Sequence, residues 1–429
     1  MNRSSGPWPL GRFYAGLRRV RGSSLKAAVR TVFGPRAMCM ALRPRKLPMD
    51  SEPLDLSRLK VLPLAARKSL TRVEEILIAP DGTPALCDER TASVIREAAS
   101  KITAARERGA SVLLIYGAHL LRNGAALILE RMMTRGWLTH LATNGAGSIH
   151  DWEYAFLGRS TESVEENVAT GTFGAWDETG RNIHLALLAG ALRGEGYGRA
   201  VGRFIAEDGV ALPAADALRQ AIQSEPLHPL TPARADLLQA MQAHHLPAGR
   251  IEVSHGWKHA SIFANAFRHG IPLTVHPGVG YDIIANHPMF NGAVIGRAAD
   301  LDFRSFAAAV EGLDGGVVLS IGSAIMGPQV FEKSLSCVNN LRLQARRPIV
   351  CDHSIYVVDI QDAGNWDWAH GEPPKTNPAY YLRFCKSFSR MGGAMQYVCG
   401  DNATFVHHLY CALASRPPRS CSSASTSSR

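Results

Sequence analysis

From about residue 111 onward, apolar positions fall alternately into short β-rich runs and longer stretches with the 3.6-residue period of a helix, and Gly, Asn or Asp marks most of the joins. Residues 112–116, 138–143, 272–275, 293–295, 317–321, 349–351 with 355–360, and 394–398 read as strands. Helical spacing covers 89–108 and 125–135, and another helix opens near Asp151. Strand and helix in alternation are the signature of repeated βαβ units, whose crossovers lay helices on the sheet. The pattern therefore predicts an α/β fold with a doubly wound, mostly parallel sheet covered by helices on both faces. The stretch from about 181 to 242 is mostly helical, is divided by Pro213, Pro226, Pro229 and Pro232, and reads as a helical insertion. Residues 53–108 read as a mixed leader packed on the sheet.

Length and composition fit this picture: 429 residues with 46% hydrophobic and 20% charged positions can bury one large core or two ordinary ones. Every apolar run is cut by Gly, Pro or a charge well short of the roughly 18 residues a membrane helix needs, so no membrane span is expected. The formal charge of +10 would point to a nucleic-acid partner if it were spread over the body. Instead, residues 1–49 hold nine Arg, two Lys and no acid, residues 415–429 hold three Arg, and residues 50–414 are left at −4. Nucleic acid is therefore not an expected partner, whereas a cationic one such as a polyamine is compatible with the body. The acid-free start resembles an organelle transit peptide in composition, but Gly6, Pro7, Pro9, Gly11 and Pro35 oppose one long amphipathic helix. Residues 1–49 are expected to be a disordered basic extension, 50–414 the catalytic domain and 415–429 a disordered tail. Eight Cys are scattered without a C-x-x-C pair or a metal-ligand spacing to His, so free thiols, no metal site and a reducing cytoplasm are expected.

Four segments could carry chemistry. Thr143-Asn144-Gly145-Ala146-Gly147 follows a strand and precedes a helix, the place where small residues let main-chain N–H groups approach a pyrophosphate. A structural tight turn reads equally well, because the spacing is not G-x-G-x-x-G. Gly315 to Ser323 repeats the design, with Pro328 in the first turn of the next helix, although Gly322 simply closing the strand would explain it too. Gly400-Asp401-Asn402-Ala403 joins a strand to the last helix; Asp401 or Asn402 is its N-cap, and a carboxylate there can also accept a ribose hydroxyl. From Asp359 to Lys386 the chain mixes Asp362, Trp366, Asp367, Trp368, Glu372, Tyr380, Tyr381 and Phe384. Rings and carboxylates together suit a diammonium ligand, or they form an ordinary polar loop with buried anchors. Lys386, beside Phe384, reads as an amine nucleophile if desolvation strips its proton.

Taken in order, these segments resemble deoxyhypusine synthases. Arg122-Asn123-Gly124 through Asp151 is similar, without a gap, to the family's stretch from Ser-Ser-Gly to Thr-Thr-Ala-Gly-Gly-Val-Glu-Glu-Asp. Phe263 to Pro272, then Pro277 and Asp282, resembles its passage of helix, His-Ile-Pro-Val, Pro and Asp, with His269 one place early. Gly315 to Ser323 stands in the place of the family's Gly-rich strand-turn. Asn377-Pro378 to Phe384-Cys385-Lys386 is similar to Arg-Pro through Trp-Gly-Lys with the same eight-residue step from Pro to Lys, and Tyr397 to Leu409 resembles the closing strand and helix.

The resemblance spans about 110 to 413. It implies a Rossmann-like NAD-binding fold, a homotetramer with sites between subunits, and transfer of the aminobutyl group of spermidine through a lysine imine. The acceptor would be a protein lysine, as in hypusine formation, or a small diamine. Lys386 and His150 are the implied catalytic groups. Asn123, Gly124, Thr143, Asn144, Gly145, Gly147, Asp151, Ser323, Asp401 and Asn402 are the implied cofactor contacts, and Asp282, Asp367, Glu372 and Phe384 the substrate side. Departures from the family pattern fall mainly on the substrate half: Gly327-Pro328 replaces a Lys-His pair, His150 replaces a Glu, and Tyr380 stands where a Glu is expected six residues before the nucleophile. A non-catalytic NAD-binding protein of the same fold and an NAD-consuming deacylase are the competing readings.

Overall fold

The computed structural model describes residues 52–362 and 366–415; the basic extension and the tail after 415 lie outside the described residues. Six strands form the main sheet: β1 (Val112–Tyr116), β2 (His140–Asn144), β3 (Leu273–His276), β4 (Val317–Ile321), β5 (Ser354–Asp359) and β6 (Ala394–Cys399). All are parallel, and their spatial order is β3-β2-β1-β4-β5-β6. This is the doubly wound, Rossmann-type order. Leu114 at the centre of β1 faces Leu141 on one side and Leu319 on the other.

The β1 sequence shows why such runs become central strands: all five residues are apolar or aromatic, and all five are buried. Val112, Leu114 and Tyr116 enter one core with helices Glu89–Glu107, Ala126–Thr134, Ile262–His269 and Asn402–Ala414. Leu113 and Ile115 enter a second core with helices Gly292–Glu311, Met326–Gln344 and Arg383–Ser389. A period of two along the strand thus feeds two separate helical layers.

Three elements differ from the sequence pattern. Ala293 to Ile295 lies inside helix Gly292–Glu311, whose buried positions Val294, Ile295, Ala298, Asp302, Phe306 and Val310 keep a helical period that three residues cannot display. Residues 349–351 are irregular and precede β5. The helix after β2 starts at Gly145, six residues before Asp151, because the Asn144 side chain accepts the Gly147 N–H at 2.9 Å and caps it there. The region from 181 to 242 is also less separate than an insertion: helix Tyr197–Ala206 packs on Ile262–His269 and on β3, and a ribbon of Gly209–Leu212 with Gly249–Glu252 interrupts the helical pattern. Among the described residues no helix is long and apolar enough to cross a membrane.

Candidate functional site

Strand order reverses between β1 and β4, and the loops that leave these two strands diverge toward opposite faces of the sheet. Such a switch point opens a crevice at the carboxyl ends of the strands. Two glycines let the loops start in contact. Gly117 directly follows β1 and donates its N–H to the Ile321 carbonyl at 3.2 Å, and a Cβ there would lie 2.1 Å from the Gly322 carbonyl oxygen. Gly322 has φ +61° and donates to the Val358 carbonyl at 2.9 Å. At this edge lies a cavity of about 390 Å³ whose polar lining includes His119, Asn123, Asn144, Ser323, Asp359, Gln361 and Asn402. Its apolar rim is formed by Ile325 and Ile360, which are 76% and 79% exposed. Size and lining match a small-molecule site.

Three helices of useful length begin here: Gly145–Leu157, Met326–Gln344 and Asn402–Ala414. Asn144, Met326 and Asn402 at their starts all line the cavity. Their first turns bring unmatched N–H groups and partial positive charge to one place. Side chains take up part of that capacity: Ser323 Oγ accepts the Gly327 N–H at 3.1 Å, and Asp401 accepts the Thr404 N–H at 2.7 Å. Asn123 Nδ2 donates to Asn402 Oδ1 at 2.8 Å and to Asp401 Oδ2 at 3.4 Å, which ties the β1 loop to the last helix. The arrangement suits an elongated anionic ligand.

Of the residues implied as cofactor contacts, Asn123, Asn144, Ser323 and Asn402 are gathered in this lining, and Asp401 adjoins it as the cap of the last helix. The others serve packing. A Cβ on Gly124 would meet the Ile76 carbonyl oxygen at 1.7 Å, one on Gly145 would meet the Asp282 carboxylate at 2.0 to 2.5 Å, and one on Gly147 would meet Thr143 Oγ1 at 2.1 Å. Thr143 Oγ1 itself donates to the Tyr116 carbonyl at 2.9 Å. Asp151 is buried and accepts from Ser261 Oγ at 2.5 Å and from the Ile262 N–H at 2.7 Å, at the start of helix Ile262–His269; burial pushes its carboxyl up to about 7. Asp282, pressed against Gly145, is pushed up to about 6 by burial, despite the Gly278 N–H it accepts.

The implied catalytic groups stand apart from each other. His150 Nδ1 lies 2.7 Å from Ser160 Oγ, which donates to Glu153, and desolvation pushes the imidazole down to about 4. Lys386, on helix Arg383–Ser389, has its Nζ 2.6 Å from Glu372 Oε1 and 3.6 Å from the centre of the Tyr380 ring; Arg390 shares Glu372. The two cations hold the Glu372 carboxyl below its usual range. Lys386 is thus held in a carboxylate–aromatic clasp with its side chain 15% exposed, and it does not line the crevice. Phe384 is buried in the second core with its ring 6.2 Å from that of Tyr397, so it packs the sheet. Asp367 caps residues Trp368–His370 and pairs with His370 at 3.2 Å; with Trp366, Trp368 and Tyr397 it lines a different cleft of about 520 Å³ along β6.

Gly117, His119, Ile325 and Gln361 belong to the crevice without carrying any motif in the sequence. Their only signal was positional, since each follows the end of a strand, where ligands of such sheets bind.

The fold and crevice define a doubly wound α/β protein with its cavity at the switch point. No family model and no curated protein matches the chain. Among solved structures it is similar to AgrE in ternary complex with ornithine and NAD+, at TM-score 0.38 and 14% identity over 77% of this chain and 34% of that one. It is similar to apo ArgZ, an arginine dihydrolase from the ornithine–ammonia cycle in cyanobacteria, at TM-score 0.36 and 13% identity over 77% and 33%. A conserved LOR/SDH protein from Methanococcus maripaludis S2 gives 0.35 and 14% over 78% and 73%. The chain thus spans about a third of the AgrE and ArgZ chains. Likenesses this distant identify neither substrate nor chemistry, for which the crevice itself is the guide.

Proposed function

We propose that the switch-point crevice binds a dinucleotide of the NAD class and that the chain is an enzyme using it on an amine substrate. One observation carries this reading: a cavity of about 390 Å³ sits where three helix N-termini meet at the carboxyl ends of the sheet. Helix N-termini suit the pyrophosphate, and the Ile325 and Ile360 rim suits the flat faces of the rings. A bound NAD would supply a hydride acceptor and, later, a donor.

The finer form of the proposal is aminobutyl transfer from spermidine. In it, hydride leaves the carbon beside the secondary amine. The amine of Lys386 then attacks the resulting imine carbon, and diaminopropane departs. An acceptor amine, on a protein lysine or a small diamine, displaces Lys386, and the hydride returns to the new imine. Lys386 must first part from Glu372, because an ion-paired ammonium has no free lone pair. Since Lys386 does not line its own chain's crevice, the reading sets it against the crevice of a neighbour in a homotetramer. That same observation favours a second reading, a dinucleotide-dependent protein without lysine chemistry.

Incubation of the full chain with NAD and labelled spermidine, followed by borohydride and peptide mapping, separates the two. The transferase predicts an aminobutyl adduct on Lys386 and released diaminopropane, both lost in Lys386→Ala. Dinucleotide binding with neither product would eliminate the transferase and leave the second reading, while release of free nicotinamide would point to the deacylase.

A further inference from the structure

The main sheet ends in two edge strands, β3 and β6, and the fold treats them differently. An unpaired edge offers a row of main-chain N–H and C=O groups to any extended chain, so native folds cover, charge or shorten it. The β3 edge is covered. Asp302 of helix Gly292–Glu311 accepts the Val275 N–H at 2.7 Å and the Gly198 N–H at 2.9 Å, and helix Tyr197–Ala206 comes so near that a Cβ on Gly198 would lie 1.9 Å from the Leu273 carbonyl oxygen.

Among the described residues β6 pairs with β5 alone. The Ala394 and Gly400 N–H groups donate to the His353 and Asp359 carbonyls, both at 3.0 Å, so the period of two turns the N–H and C=O of Met395 and Tyr397 toward the open side. The six residues of the strand include no charge and no Pro to blunt that edge. Along it runs the cleft of about 520 Å³, which continues into one of about 250 Å³ through the shared residues Arg90, Val94, Trp366 and Tyr397. Together they make one groove, and it has no lining residue in common with the switch-point crevice. Helix Glu89–Glu107 supplies one wall, through Arg90 and Val94, and residues 366–371 supply the other. On that second wall Trp368 is 4% exposed, and its indole N–H is shut off from water without a hydrogen-bond partner.

An edge recessed between two walls admits one extended segment, and it rejects the equally recessed edge of a second copy. Charge narrows the occupant further. The lining carries three carboxylates, Asp88, Asp362 and Asp367, against the single cation Arg90, and the rings of Trp366 and Tyr397 line both parts of the groove. Acids beside aromatic faces suit Lys and Arg side chains. We propose that the groove along β6 docks an extended, basic peptide segment of another protein, which adds to the sheet as a seventh strand. Its main chain pairs with Met395 and Tyr397, and its cationic side chains lie against the carboxylates and rings. At about 3.3 Å per residue, six residues of such a segment cover the length of β6.

The test is fluorescence anisotropy of the full chain with the labelled peptide acetyl-Lys-Val-Arg-Val-Lys-Val-amide. It is expected to bind at least about tenfold more tightly than the same peptide with Glu at its three basic positions. N-methylation of one alternate set of its main-chain nitrogens should abolish binding, and methylation of the other set should cost far less. Asp88→Asn with Asp367→Asn keeps both capping side chains and should weaken binding at least about tenfold. On binding, the Met395 and Tyr397 amides should become protected in hydrogen exchange. Equal binding of the acidic peptide, or indifference to both methylated sets, overturns the proposal. So does absence of binding, and if the two amides are then already protected in the peptide-free chain, the edge is covered by a second copy or by the chain's own basic extension.

Discussion

Gly117 is the smallest part of the site and the one with least room to change. Its hypothetical Cβ lies 2.1 Å from a main-chain oxygen, and a backbone carbonyl cannot rotate away as a side chain can. Gly117→Ala should therefore push the β1 and β4 loops apart, cost about 1–3 kcal/mol of stability and weaken dinucleotide binding at least about tenfold. Urea unfolding and cofactor titration measure the two effects; unchanged binding would mean that the loops do not form the site. This residue also shows what a local reading misses. Tyr116-Gly117-Ala118 matches no phosphate-loop spacing, because the partner that demands glycine, Gly322, directly follows β4, about 200 residues later in the chain. The glycines that did attract notice, Gly145 and Gly147, are demanded by Asp282 and Thr143, so the composition was legible and its cause was not.

At the scale of elements, the leader is fixed to the sheet layer by a buried polar network. Arg67 and Glu153 are each 1% exposed at the side chain, and Glu153 also accepts from Ser160 Oγ at 2.5 Å and Thr179 Oγ1 at 2.9 Å. One carboxylate thereby joins the leader, the Arg159–Ser160 strand, helix Gly145–Leu157 and helix Asp177–Ala191. Arg67→Met leaves that charge buried with only hydroxyl partners, and a loss of about 3–5 kcal/mol is expected from the urea midpoint. A loss under about 1 kcal/mol would show that the leader is not a structural part of the domain. Strands whose five residues are all buried and almost all apolar, such as β1 and β4, were legible because both of their faces are buried. Ala293 to Ile295 was not, because an apolar triplet is compatible with either period and the caps and the next four turns decide it.

For the whole molecule, periodicity announces a parallel sheet but not the order of its strands, since the pairing of β1 with β4 is a long-range contact with no local signature. The crevice, which exists only because of that order, was consequently legible as scattered strand ends and not as a site. The same long-range burial governs how the protein responds to pH. Desolvation pushes His140 down to about 3, and His150, His184, His255 and His276 to about 4. It pushes Asp151 and Asp302 up to about 7 and Asp282 to about 6. A histidine depressed below its unfolded value of about 6.5 contributes stability that is present above that pH and lost as pH falls toward 4. A carboxyl raised above its unfolded value of about 3.9 does the reverse: its contribution is present below that pH and lost as pH rises through 6 to 7. Near pH 5 the two sets oppose each other, five proton-accepting groups against three proton-releasing ones on unfolding. His244 and His353 are held down by burial as well, so the depressed histidines outnumber the raised carboxyls and stability should fall on acidification below pH 6, by on the order of a few kcal/mol per pH unit. His255 offers one of them for test: Trp152, Phe156 and Phe204 surround its ring, and burial outweighs the pull of Asp208, whose Oδ1 stands 3.5 Å from Nδ1. His255→Phe should flatten the slope by about one proton, or about 1.4 kcal/mol per pH unit. Urea unfolding from pH 4.5 to 7.5 on both proteins measures it, and a wild-type stability that rises on acidification would show that the buried carboxyls, not the imidazoles, control the fold.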